Sequence, residues 1–136
     1  MSPEILLNNE VARIEYLPQD SFLKLTLIGN LDKDDYQSTW NFLLDCIIEK
    51  QPKKILVDQR PMTKASIESR AWLLVKWVPK FKNKVVHPTK VAVLFSKSLA
   101  VKIGGEFLVN AASKEVESAQ LRVFQDENEA LRWLQE

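Results

Sequence analysis

The sequence has one cysteine, Cys46, one histidine, His87, and only three glycines among 136 residues. A single cysteine forms no internal disulfide. Cys46 falls on the apolar side of a predicted helix, which suits a buried, inert thiol better than a nucleophile. One histidine in a loop before Pro88 excludes a multi-histidine metal site, and transition-metal binding is not expected. Gly104 and Gly105 are not followed by the lysine and hydroxyl residue of a phosphate loop, and nothing resembles a nucleophile elbow. No apolar run approaches the roughly 18 residues of a membrane-spanning helix. No charged-then-apolar leader is seen. The expectation is a cytoplasmic protein without stable membrane insertion. No metal and no cofactor are expected, and no catalytic residue is assigned.

Acid is missing from one stretch. Residues 69–105 contain no Asp or Glu but carry Arg70, Lys76, Lys80, Lys82, Lys84, Lys90, Lys97 and Lys102. The flanks are net acidic, so the whole chain is only +1. A basic middle between acidic flanks suits an anionic partner. The plainer account is a solvated helix and loop rich in lysine. The near-neutral whole-chain charge argues against a nucleic-acid partner.

What is present is ordinary for a globular domain: 46% apolar and 27% charged residues. The length suits one domain over residues 1–136, able to bury a core without staples. No repeat, low-complexity tract or linker interrupts it.

The most informative stretch is 22–58. Residues 22–28 alternate apolar and polar and end at Gly29-Asn30-Leu31-Asp32. Asp32 is a good N-cap, with Asp34 and Asp35 in the first turn. Tyr36, Trp40, Leu43, Leu44, Ile47 and Ile48 recur at helical spacing, and Pro52 stops the helix. Ile55-Leu56-Val57 then reads as a strand covered on both faces. Strand, turn, helix, strand is a βαβ unit.

Residues 1–10 read as a lead-in, and 11–17 as a strand pairing antiparallel with 22–28. A second helix begins near Thr63 or Ser66 with Ile67, Ala71, Leu74, Val75 and Val78 inward. Trp72 and Trp77 fall off that stripe. Pro79 is expected to end or kink this helix. Residues 91–95 form a buried strand, and Ser98 caps a third helix with Leu99, Ile103, Phe107 and Ala111 inward. Residues 120–124 form the last strand. Asp126 opens a final helix through Ala130, Leu131 and Leu134. The order β-β-α-β-α-β-α-β-α predicts an α/β fold, a mixed and mostly parallel sheet of about five strands with about four helices.

The run Leu25-Thr26-Leu27-Ile28-Gly29-Asn30-Leu31-Asp32 resembles the strand-to-helix passage of STAS domains. Lys54-Ile55-Leu56-Val57-Asp58 is similar to their next strand, and residues 123–134 to their final strand and helix. The chain is thus identified with the SpoIIAA-like, STAS/SEC14-type single domains. The resemblance implies that fold and a partner-binding role. Phosphorylatable members carry an Asp-Ser-Ser/Thr-Gly run at the second helix. Here the region reads Thr63-Lys64-Ala65-Ser66-Ile67-Glu68-Ser69, without that run and without glycine. Ser66 is the candidate phosphorylation site, although an N-cap role explains it more simply.

Asp58 and Arg60 sit at the carboxyl end of a central strand, where open α/β sheets place ligands. Thr63, Ser66 and Arg70 can join them. The bland alternative is that Asp58 tethers the loop and pairs with Arg60. Trp72 and Trp77, rimmed by Lys76 and its neighbours, suit an interface or the mouth of an amphipathic-ligand site. Three functions compete. The first is a non-catalytic interaction or regulatory module working through a protein partner or a homodimer. The second is a carrier of an amphipathic anionic molecule or lipid. The third, much weaker, is an enzyme using Asp58, Arg60 and Ser66.

Overall fold

The computed structural model describes residues 2–95 and 119–136. The expected helix from Ser98, with Gly104 and Gly105, lies outside them. Among the described residues the frame is a six-stranded sheet of β1 (Glu4–Asn8), β2 (Ala12–Leu17), β3 (Phe22–Leu27), β5 (Lys54–Asp58), β7 (Thr89–Leu94) and β8 (Ala119–Phe124), in that spatial order. β1, β2 and β3 pair antiparallel; β3, β5, β7 and β8 pair parallel. The mixed, mostly parallel α/β fold is therefore present, with one more strand than the sequence suggested. The extra strand is β1, read from the sequence as a lead-in. It is a bulged edge strand with no buried residue, so it shows little periodicity.

Strand pattern decides how each face is covered. β3 alternates, and Leu23, Leu25 and Leu27 are fully buried on one face. β5 has no polar alternation: Ile55 and Val57 join that first face, while Leu56 joins the other. A strand buried on both sides needs helices on both sides. Helix α1 (Lys33–Lys50) covers the first face with Tyr36, Trp40, Leu43, Leu44 and Ile47. Asp32 caps it, accepting from the Asp35 N–H at 2.8 Å. Ahead of it Gly29 adopts φ +70°, a conformation that suits glycine. Gly29–Asn30 (β4) pairs parallel with Met62–Lys64 (β6) in a small second sheet, which the sequence did not suggest.

The second helical segment corrects the predicted phase. It runs as α2 (Ile67–Trp72), a π-helical turn (Leu73–Trp77) and α3 (Val78–Lys84). In the π turn the Val78 N–H donates to the Leu73 carbonyl, five residues back. The extra residue rotates everything after it by about 100° relative to an unbroken α-helix. Ile67 and Val75, expected inward, are 81% and 65% exposed, and Ala71 is exposed too. Trp77, expected outside, is 7% exposed. Its indole Nε1 donates to the Trp40 carbonyl at 2.6 Å. Its ring meets Trp40 edge-on at 5.0 Å and stacks on Phe81 at 5.3 Å. Pro79 neither ends the helix nor needs an intrahelical partner. It sits in the first turn of α3, where proline is tolerated.

The opposite face is covered by helix α4 (Glu127–Gln135), whose Ala130, Trp133 and Leu134 pack on Leu56, Ala92 and Leu94. Asp126 caps it by accepting from the Asn128 N–H at 2.8 Å. At the other end Lys90 Nζ donates to the carbonyls of Trp133 at 3.2 Å and Glu136 at 2.9 Å. The same ammonium lies 5.2 Å from the Trp133 ring centre.

This packing gives a sharp expectation for the helix phase. Trp77→Ala should cost about 3–5 kcal/mol in urea unfolding. Val75→Ala should stay within about 0.5 kcal/mol of wild type. A greater loss at Val75 than at Trp77 would restore the unbroken stripe.

Candidate functional site

β5 brings Asp58 to the carboxyl end of the parallel strands. Strand alternation turns it, like Leu56, toward the α4 face. Asp58 is 4% exposed, and a buried carboxylate needs partners. Arg60 supplies three bonds: its backbone N–H and Nε donate to Oδ1 at 3.0 and 2.9 Å, and Nη2 donates to Oδ2 at 2.8 Å. The same Nη2 reaches both carboxylate oxygens of Glu127, the first residue of α4, at 3.5 Å. Burial alone would raise the Asp58 carboxyl. The Arg60 bonds and charge, helped by Lys24, outweigh it and hold the carboxyl below its ordinary value. Asp58 raises the Arg60 guanidinium in turn. Arg60 is thus engaged by two carboxylates through Nε and Nη2.

Ser66 and Arg70 belong to the helix that follows. Ser66 Oγ caps α2, accepting from the Ser69 N–H at 3.0 Å and donating to Ser69 Oγ at 2.9 Å. Arg70 is buried at 6% exposure, and burial lowers its guanidinium against the opposing effect of Tyr36. It makes no hydrogen bond or ion pair among the described residues. Thr63 is exposed on β6, Lys76 is exposed on the π turn, and Trp72 is half-buried against the core. Trp77 lies in that core and offers no surface. The eight residues named from the sequence therefore do not form one site. Asp58 and Arg60 form one cluster on the α4 face, and Arg70 lies beside α1 on the other.

Two features were not read from the sequence. Glu127 joins Arg60 only because the sheet order brings α4 back over β5. A groove of about 300 Å³ also lies between α4 and the sheet at β3 and β5, with Leu17, Phe22, Leu56, Leu131 and Leu134 in its walls. Lys24 and Lys54 line it along with Asp20 and Glu127, and neither lysine has an ion-pair partner among the described residues. The signal was in β3: Lys24 alternates outward from a strand whose other face is core. His87 Nε2 lies 2.8 Å from the Pro52 carbonyl, and no metal-ligand cluster occurs among the described residues. Cys46 is buried, and burial pushes its thiol up to about 11, which suits an inert role.

The Asp58–Arg60 lock makes stability acid-sensitive. A carboxyl whose folded value is depressed stabilises the fold above its ordinary value and loses that contribution as pH falls through the folded value. Arg60 is part-exposed, so Arg60→Ala should cost only about 1–2 kcal/mol near neutral pH. Urea unfolding from about pH 7 to about pH 3 should show the gap between wild type and variant closing in acid. A gap that widens there would contradict the lock.

The SpoIIAA-like family model matches residues 22–135. Among solved structures, an uncharacterised DUF3478-family protein with a SpoIIAA-like fold from Shewanella loihica PV-4 is similar at 20% identity and a TM-score of 0.54. That match covers 98% of this chain and 92% of that one. SiaC of Pseudomonas aeruginosa is similar at 11% identity and a TM-score of 0.45, covering 91% and 100% of the two chains. No curated protein is a significant match. The strand order, the helices on both faces and the extent of the family match lead to one statement: the chain belongs to the SpoIIAA-like family.

Proposed function

We propose that this protein is a non-catalytic interaction module that docks a partner protein, or a second copy of itself, through the outer face of α2 and the π turn. One observation carries the reading. Ile67, Ala71 and Val75 are exposed at successive four-residue steps, so they form an apolar stripe on a helix whose other face is core. Single exposed apolar residues are unremarkable, but an aligned set on one helix is the usual form of a docking face. Lys76 and Lys80 are exposed beside the stripe and have no ion-pair partner among the described residues. They favour an acidic rim on whatever docks there. The Asp58–Arg60–Glu127 pairing supports a structural rather than a catalytic use of those residues.

Light scattering across a concentration series tests self-association, and a photo-crosslinking residue at position 71 tests docking in cells. Either a mass above the monomer or a discrete crosslinked partner is expected. Val75→Asp should abolish it while leaving the unfolding midpoint unchanged, because Val75 is outside the core. A monomer at every concentration together with no adduct at position 71 overturns the proposal.

The groove beside α4 supports a second reading, carriage of an amphipathic anion. Apolar walls would take the tail, and Lys24 or Lys54 would meet the charged head. Native mass spectrometry after incubation with a medium-chain fatty acid should show a one-to-one adduct that Lys24→Glu weakens about tenfold. A mass identical to the free chain would exclude it.

A further inference from the structure

The two helical segments on the first face of the sheet carry opposite charge on their outer sides. Each runs back between two parallel strands, so α1 and the α2–α3 segment lie side by side and point the same way. Two contacts fix their relative height. Lys33 meets Glu68 at 3.0 Å where both segments begin, and further along the Trp77 indole reaches the Trp40 carbonyl. On the outer side of α1, Asp34, Asp45 and Glu49 are exposed, and so are Phe42 and Ile48 at 37% each. Asp34 and Asp45 have no ion-pair partner among the described residues. Glu49 shares Lys50 with Glu4, at 3.6 and 3.4 Å. On the outer side of the neighbouring segment, Lys76, Lys80, Lys82 and Lys84 are exposed beside Ala71 and Val75. None of these lysines has an ion-pair partner among the described residues. Asp45 is five residues past Trp40, and Lys82 is five past Trp77, so acid and base stand at about one level.

We propose that this face binds a second copy of the chain, with α1 of one copy lying on the α2–α3 segment of the other. The inference rests on the docking reading above and names its partner. A two-fold axis running along the helices, between them, would set each acidic helix over the partner's basic one. Such an axis leaves heights unchanged. Asp45 and Glu49 would then meet the partner's Lys80 and Lys82, and Phe42 would meet the partner's Pro79 and Val75 between them. An axis across the helices would instead set α1 on α1 and lysine on lysine, which like charge opposes. Asp126, Glu127 and Glu129 are also acidic, but they belong to the opposite face of the sheet. Docking there would be head-to-tail and would not close. Of these two acidic sets, only the one on α1 completes a closed pair.

Charge reversal with exchange tests the pairing. One variant carries Lys80→Glu with Lys82→Glu, and the other carries Asp45→Lys with Glu49→Lys. All four sites are exposed, so both variants should keep the wild-type unfolding midpoint. In sedimentation equilibrium the wild type should dimerise, and more weakly as salt rises from about 0.05 M to about 0.5 M. Each variant alone should dimerise about tenfold more weakly or worse. An equimolar mixture should recover the wild-type constant as a heterodimer, because every reversed charge then faces its opposite. Zero-length carbodiimide coupling of a mixture of ¹⁵N-labelled and unlabelled wild type gives a second measurement. It should join Asp45 or Glu49 of one copy to Lys80 or Lys82 of the other, and it decides alone if a variant does not fold. A wild-type dimer that neither reversal weakens, a mixture no tighter than its parts, or no such link between labelled and unlabelled chains overturns this pairing and leaves the docking reading standing. A monomer at every concentration also overturns it, and a crosslinked partner at position 71 would then assign the face to a different protein.

Discussion

The hydrogen bond from the Trp77 indole to the Trp40 carbonyl fixes the relation between the two helical segments on the first face of the sheet. It sits inside a run of rings, Tyr36 to Trp40 to Trp77 to Phe81, that fills the space between α1 and α3. Trp77 is the last residue of the π turn. A buried ring with a satisfied N–H is worth more than a β-branched side chain on the same spot. Pro79, which has no N–H to lose, sits in the first turn of α3, just past the wide turn.

The same turn divides the segment into two chemically different sides. Outward lie Ile67, Ala71 and Val75, with lysines beside them. Inward lie Ser69, Arg70, Trp77 and Phe81, a polar end grading into an aromatic one. The carboxyl end of the parallel strands is likewise split by strand alternation. Toward α4, Asp58, Arg60 and Glu127 satisfy one another.

Much of the fold was legible because strong periodicity leaves few options. The alternation of β3, the long apolar face of α1 and the unbroken Ile55-Leu56-Val57 run specify a βαβ unit between them. The resemblance to SpoIIAA-like domains rests on those same residues. β1 was hidden because none of its residues is buried and a bulge breaks its register. The second helix was only partly legible: Val78 and Leu74 meet the core as the template expects, while Ile67, Ala71 and Val75 face outward and Trp77 inward, and the π turn between them has no compositional mark. The candidate site was only partly legible. Asp58 and Arg60 are near in sequence and so could be paired on paper. Glu127, Tyr36 and Trp40 reach their partners through the sheet order and helix packing, which single-sequence patterns do not carry.

Lys90 holds the far end of α4 by two carbonyls and the Trp133 ring, while Asp126 and Glu127 hold its start. At nine residues α4 is shorter than the roughly 12 to 15 that a free helix needs in water. Its helicity is therefore borrowed from β5 and β7, whose side chains must already be in place. Without Leu56, Ala92 and Leu94 beneath it, the segment has no reason to stay helical, so the last turn of the chain is only as ordered as the strands it lies on.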